Sequence, residues 1–173
     1  MLKPKYAAVL KATAEKAGYG KPLPAGHFHG LAQIMGYGSY VAGVAEVSVS
    51  DDGQLKIHKI TAATNSGHVV NPAQIERQVA GSFAYGLSAA LYGEITVKDG
   101  AVEQTNFDSY NVMRIDEMPQ VETVMVPTHD FWGGVGEPTI AVAAPSVLNA
   151  IAKATGKRVR NLPLMHSDLK KAS

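Results

Sequence analysis

The sequence has 173 residues, 46% of them hydrophobic and 18% charged, with a formal net charge of +1 and no cysteine. That balance describes one globular domain able to bury a core rather than a disordered chain. It gives no electrostatic case for nucleic acid or an anionic membrane surface, and it excludes disulfides, thiolate metal sites and cysteine nucleophiles from this chain.

No apolar run reaches the roughly eighteen residues that a membrane-spanning helix needs. Met1-Leu2-Lys3-Pro4-Lys5 lacks the apolar core of a signal peptide, so the expected location is cytoplasmic. Residues 5–17 predict a helix stopped by Gly18, and 19–26 a Gly- and Pro-rich linker. A strand-like run over 27–35 breaks at Gly36-Tyr37-Gly38. A stronger one follows over 39–50, where Val41, Gly43, Ala45, Val47 and Val49 alternate with Tyr40, Ala42, Val44, Glu46 and Ser48. Both faces begin apolar and one turns polar, as a mostly buried strand requires. Asp51-Asp52-Gly53 marks a hairpin turn. The return strand, 54–64, places Leu55, Ile57 and Lys59 on one side and Lys56, His58 and Ile60 on the other, and Asn65-Ser66-Gly67 ends it.

Asn71 as N-cap and Pro72 at the first helical position open the longest helix, over 72–92, with Glu76 placed to complement its dipole. Ile75, Val79, Phe83, Leu87 and Leu91 form its apolar stripe. Gly81 and Gly86 each cost about 1 kcal/mol relative to Ala there, which points to close packing against another backbone or a ligand. For Gly86 the expected cause is helix–sheet packing. A short hairpin turns at Lys98-Asp99-Gly100, 106–118 reads as irregular, and 121–126 as a strand ended by Pro127. Residues 141–155 predict a helix with Gly156 as its cap, and 163–173 a flexible tail. The fold class expected is α+β. It is a single domain over 1–173, with 1–25 as N-terminal helix and linker, and an antiparallel or mixed sheet carrying two long helices.

The chemistry concentrates in Phe131-Trp132-Gly133-Gly134-Val135-Gly136-Glu137-Pro138. Three glycines allow a ligand to approach bare backbone, and the proline biases Glu137 away from helical geometry. A carboxylate beside Trp132 and Val135 could sit in a poorly solvated pocket, where its pKa would rise toward that of a general base. The alternative is a glycine-rich turn with a solvated glutamate. His27 and His29, two apart on a strand, share a side and with His58 or His68 could hold a metal, though spacing fixes no third ligand and a surface pair is the alternative. Neither glycine cluster fits the strand–GxGxxG–helix context of dinucleotide binding, and no phosphate-cradling Gly-Lys-Ser/Thr loop or serine elbow occurs. Glu137 and the Gln78–Gly81 face of the long helix remain.

Four stretches carry a family resemblance by their order and spacing. They are residues 38–49, Gln78-Val79-Ala80-Gly81, residues 86–95, and Gly133-Gly134-Val135-Gly136-Glu137-Pro138. Together they resemble the C-terminal part of the molybdenum-binding subunit of the xanthine oxidase family, in its isoquinoline 1-oxidoreductase β branch. The resemblance implies a lobe of a molybdopterin-binding domain that oxidises aldehydes or N-heteroaromatics with water-derived oxygen. It implies Glu137 as general base, with Gln78, Gly81, Gly134, Val135 and Gly136 near the pterin and no protein metal ligands. The family is longer than this chain. The implied partners are therefore the remaining molybdenum-subunit domains and a 2Fe-2S subunit, and the chain alone is expected to be inactive, free of cofactor and prone to form a homo-oligomer. Ala80 stands where relatives usually carry Glu, and Asn65-Ser66 where they carry Asp-Cys. These departures keep a second reading open, a non-catalytic remnant that binds a partner chain.

Overall fold

The computed structural model describes residues 3–171. Its first helix, α1 (Pro4–Ala17), begins with a proline near its N-terminus and ends at Gly18 in the left-handed region, φ 65°. Tyr19 N–H bonds Ala14 O at 2.8 Å and Gly18 N–H bonds Glu15 O at 3.1 Å. These two bonds satisfy the helix's last carbonyls. Strands β1 (His27–Gly36), β2 (Ser39–Val49) and β3 (Leu55–Asn65) follow as an antiparallel meander. β4 (Val97–Lys98) and β5 (Ala101–Val102) make a separate two-stranded ribbon, shorter than the sequence suggests. β6 (Gln120–Met125) pairs with β3 in parallel, so the main sheet is mixed, in the order β1-β2-β3-β6.

One face of this sheet holds the main core. Helix α2 (Pro72–Tyr92) contributes Ile75, Val79, Phe83 and Leu87, and α3 (Ile140–Thr155) contributes Val142, Ala143, Val147, Ala150 and Ile151. They meet Val41, Ala45, Val47, Ile60 and Ala62 from the strands. Burying each of these large side chains stabilises the fold by about 1.5–3 kcal/mol relative to leaving it in water. The Asn71 side chain accepts from Gln74 N at 3.3 Å, which is the expected N-cap. The first turn of α2 holds no acidic residue, so Glu76 lies too far along to complement the dipole as expected.

The structure corrects the sequence reading in four further places. Lys59 does not share a side with Leu55 and Ile57. The β2–β3 register slips between Glu46 and Val47, leaving His58 as the extra residue of a bulge, so Ile60 and Ala62 join the core face with Ile57. Second, α1 does more than lead into the sheet. It covers the opposite face, burying Val9 against Ala42 and Ala63, and Thr13 Oγ1 donates to Ala42 O at 3.2 Å. Third, the described part of the segment expected as a loose tail, residues 163–171, is anchored, with Leu164 and Leu169 only 4% exposed and part of the main core. Fourth, Gly86 meets a helix rather than the sheet: a Cβ there would lie 2.7 Å from Ala143 Cβ and 3.0 Å from Ile140 O. Close approach recurs where α3 lies on β1, with Gly30 facing the α3 backbone. Asn149 Nδ2 donates to Leu31 O at 2.9 Å and ties that helix to the β1 edge.

Candidate functional site

The glycine loop crosses the sheet end formed by the β1–β2 turn and the end of β3. Gly134 N–H donates to Tyr37 O at 2.8 Å, Ser39 Oγ donates to Gly134 O at 2.6 Å, and Gly133 N–H donates to Ser66 O at 2.9 Å. These bonds use backbone that a side chain would displace. A Cβ on Gly133 would lie 2.7 Å from Gly38 C and closer still to Ser39 Oγ. The Asn65-Ser66-Gly67 turn fits beneath the same loop. Gly67 adopts φ +85°, and a Cβ there would lie 2.5 Å from Phe131 O. Asn65 is 1% exposed, and its Oδ1 accepts from Gly67 N at 3.2 Å and from Thr128 Oγ1 at 3.3 Å. That buried amide holds two turns together. From the α1 side, Lys5 Nζ pairs with Asp130 Oδ2 at 2.6 Å. This lysine first, and the Thr128 hydroxyl second, hold the Asp130 carboxyl below its usual range.

The structure brings the two sequence-predicted stretches side by side. Ser82, one residue after Gly81, is 2% exposed and donates to Gln78 O at 2.9 Å and also to Gly136 O. Residues 54 apart in sequence are thereby joined, and the middle of α2, rather than a helix start, lies next to the carboxylate's loop. Gly81 and Gly136 have no neighbour within 4 Å of a built Cβ. Bare backbone is therefore available at both, the fit a bulky ligand would need. Gln78 is exposed, with its amide free to donate and accept. Val135 turns inward against the main core, so only its backbone is offered outward. Glu137 lies three residues before α3, in the turn that leads into it, its carbonyl accepting from Ile140 N at 3.0 Å.

The expected apolar enclosure of Glu137 is not supplied by the described residues. Its side chain is exposed, and Trp132 is 57% exposed, lying edge-on to His68 at 6.3 Å rather than over the carboxylate. Of the histidines, His27, His29 and His58 gather on one face of the sheet, His27 stacking on His58 and both His27 and His29 facing Glu46, while His68 stands apart at the loop. Among the described residues no group of three metal-ligating side chains is placed to hold an ion. Sequence reading missed Ser39 and Ser82 as the loop's anchors. A serine inside a helix, where its hydroxyl competes with the backbone, was the available signal for Ser82. A 550 Å³ groove lined by Leu55, Ile57, Leu91, Met118, Leu164 and Leu169 lies at the C-terminal end of α2, and of the sequence-predicted candidates only His58 borders it.

The architecture is a mixed sheet with a carboxylate-bearing glycine loop bonded to the middle of α2. It is shared with the aldehyde oxidoreductase of Desulfovibrio desulfuricans ATCC 27774, at a TM-score of 0.62 and 26% identity, over 72% of this chain and 14% of that one. The chain belongs to the molybdopterin cofactor-binding domain family, whose model matches residues 4–119. Molybdopterin is thus the cofactor this fold serves in a complete assembly. The chain is 31% identical to the isoquinoline 1-oxidoreductase subunit beta of Brevundimonas diminuta, over 93% of its own length and 21% of that protein's. It is also 31% identical to a Gluconacetobacter polyoxogenes protein named membrane-bound aldehyde dehydrogenase [pyrroloquinoline-quinone], over 94% of this chain and 22% of that one. The chain therefore spans about a fifth of the length of these relatives. Gln78 and Gly81 fall inside the family match, and Glu137 lies beyond it. No helix among the described residues is long and apolar enough to cross a membrane.

Proposed function

We propose that this chain is the cofactor-facing C-terminal lobe of a molybdenum hydroxylase that oxidises an aldehyde or an N-heteroaromatic with water-derived oxygen. The observation that carries the reading is the Ser82–Gly136 bond, which sets the Gln78–Gly81 stretch in the middle of α2 beside the loop of Glu137, with bare backbone at Gly81 and Gly136. When bound, the molybdenum cofactor supplies the activated oxygen nucleophile and takes up the electron pair lost by the substrate. Glu137 would serve as the general base, its carboxylate placed to take up a proton, a role that requires hydrogen-bond reach of the proton it accepts. Gln78 and the backbone of Gly134, Val135 and Gly136 line the cofactor's near side.

The described residues leave Glu137 exposed, so the walls that would close water out around it come from other polypeptide. Tyr37, Phe131 and Trp132, exposed by 69%, 88% and 57%, form an aromatic surface around the loop. Surfaces of that kind mark contact sites. The remaining molybdenum-subunit domains dock there, and a 2Fe-2S subunit carries the electrons away. Alone, in this reading, the chain is one wall of a site, inactive, free of molybdenum and inclined to self-associate in the cytoplasm. Ligand sites enclose most of their ligand, and one loop and one helix face cannot.

Elemental analysis tests the proposal. Co-expressed with its genomic neighbours, the chain is expected to co-purify with molybdenum; purified alone, it is expected to have none. Stoichiometric molybdenum with aldehyde-dependent dye reduction from the chain alone would overturn the one-wall reading. Absence of molybdenum from the co-purified assembly would favour the non-catalytic remnant, the reading that Ala80 and the structural role of Asn65 support.

A further inference from the structure

The sheet end remote from the glycine loop carries titratable side chains that the proposed chemistry does not use. His27 and His29 stand opposite Ser48 and Glu46 of β2, on the face that α1 leaves open beyond its C-terminus. The bulge turns His58 onto the same face. There its ring stacks on His27, with centroids 4.0 Å apart and planes 18° from parallel. Glu46 lies between the strands, with Oε1 2.6 Å from His27 Nδ1 and Oε2 3.7 Å from His29 Nε2. A carboxylate only accepts, so His27 carries a proton on Nδ1. Ser48 Oγ lies 2.7 Å from His58 Nε2. His29 is 6% exposed, stacks with Tyr19 at 5.8 Å, and has no partner for its Nδ1.

We infer that this cluster is a proton-sensitive latch: with neutral rings it fastens the 19–29 segment to the sheet, and mild acid releases that segment. The charge inventory explains the direction. Lys16 of α1 and Lys59 of β3 both pair with Glu122 of β6, each at 2.7 Å, so that carboxylate is already neutralised. Lys56 of β3 approaches His58, and Lys153 of α3 reaches over the Tyr19 ring at 4.6 Å toward His29. Glu46 is then the carboxylate left to face three imidazoles. A second charge on the stacked pair meets a like charge at 4.0 Å, and a charged His29 buries a donor that has no acceptor. Burial chiefly holds His29 and His58 below the ordinary 6.5, with Lys153 adding to the first and His27 and Lys56 to the second, while Glu46 opposes both. Because their folded values are depressed, the unfolded segment takes up protons first. The stabilisation is full above pH 6.5 and is lost as pH falls through the folded values.

Hydrogen–deuterium exchange on the wild-type chain tests this at about pH 7.5 and pH 5.5, with intrinsic exchange rates divided out. Peptides covering 19–31 are expected to lose protection by about tenfold in acid, while those covering α3 hold theirs. His58→Phe keeps a ring for the stack but cannot take the proton, and should reduce that loss to about threefold or less. Equal protection of 19–31 at both pH values, or the full loss in His58→Phe, would overturn the latch. Should that variant not fold, ring-proton titration of the wild type decides. His29 and His58 must titrate below 6.5 and in step with the loss of protection; titration at or above 6.5 overturns it.

Discussion

Gly30→Ala is the sharpest test of how the main core is assembled. A Cβ at this position would lie 2.8 Å from Asn149 C and closer still to Ser146 O and Ala150 N, all α3 backbone. Ordinary contact begins near 3.4 Å, so β1 and α3 must part by at least 0.6 Å. No side-chain rotation relieves the clash. Overpacking of this kind costs about 1–3 kcal/mol and occasionally more. Here the helix that moves also carries Val142, Val147, Ala150 and Ile151 into the core, so dispersion contacts are lost along it. We expect about 3 kcal/mol, a large fraction of the roughly 5–15 kcal/mol that holds a domain folded. For a chain of this size that corresponds to a fall in Tm of about 6–12 °C. Urea unfolding at matched m-values measures it, with Gly36→Ala as control, since a Cβ at Gly36 meets nothing within 4 Å. A Gly30→Ala variant within about 0.5 kcal/mol of wild type would refute the close β1–α3 packing.

Gly67→Ala should push the 130–132 segment outward, because the new Cβ meets Phe131 O at 2.5 Å and Asp130 O at 2.7 Å. Trp132, the sole tryptophan, reports the shift through its emission, and an unchanged spectrum would contradict the turn-under-loop arrangement. At alkaline pH, Tyr92 matters: burial first, then its hydrogen bond to Glu117, pushes its hydroxyl from 10.0 up to about 12. The folded chain thus keeps a proton that the unfolded chain releases. Stability is full below pH 10.0 and falls as pH rises toward 12. Tyr92→Phe should flatten that part of the urea-stability profile, and identical alkaline slopes in both proteins would count against it.

The elements governed by local signals were legible in the sequence. Asn71-Pro72 and Gly18 acted as caps, Asp51-Asp52-Gly53 turned a hairpin, and the Val41–Val49 alternation ran through a buried strand. What escaped depends on distant partners. Strand parity cannot foresee the bulge at His58, because the extra residue is defined only against β2. Parallel pairing of β6 with β3 and burial of Leu169 join segments far apart in the chain. The site was legible as a list of residues but not as an arrangement. Gly81 and Gly136 announced bare backbone, whereas the serine that joins them is an ordinary residue in an apolar helix. The exposure of Glu137 was hidden for a physical reason: Val135, expected beside the carboxylate, is drawn into the core.

The role of Glu137 is tested most directly by turnover of Glu137→Gln in the complete molybdenum-containing assembly, normalised to molybdenum content. The amide preserves shape and hydrogen bonding but cannot accept the proton, and general-base catalysis contributes typically 10²–10⁴-fold. The account predicts unchanged molybdenum per chain, with aldehyde or N-heterocycle oxidation reduced by about that factor. Near-normal turnover in this variant, at full molybdenum content, would contradict it.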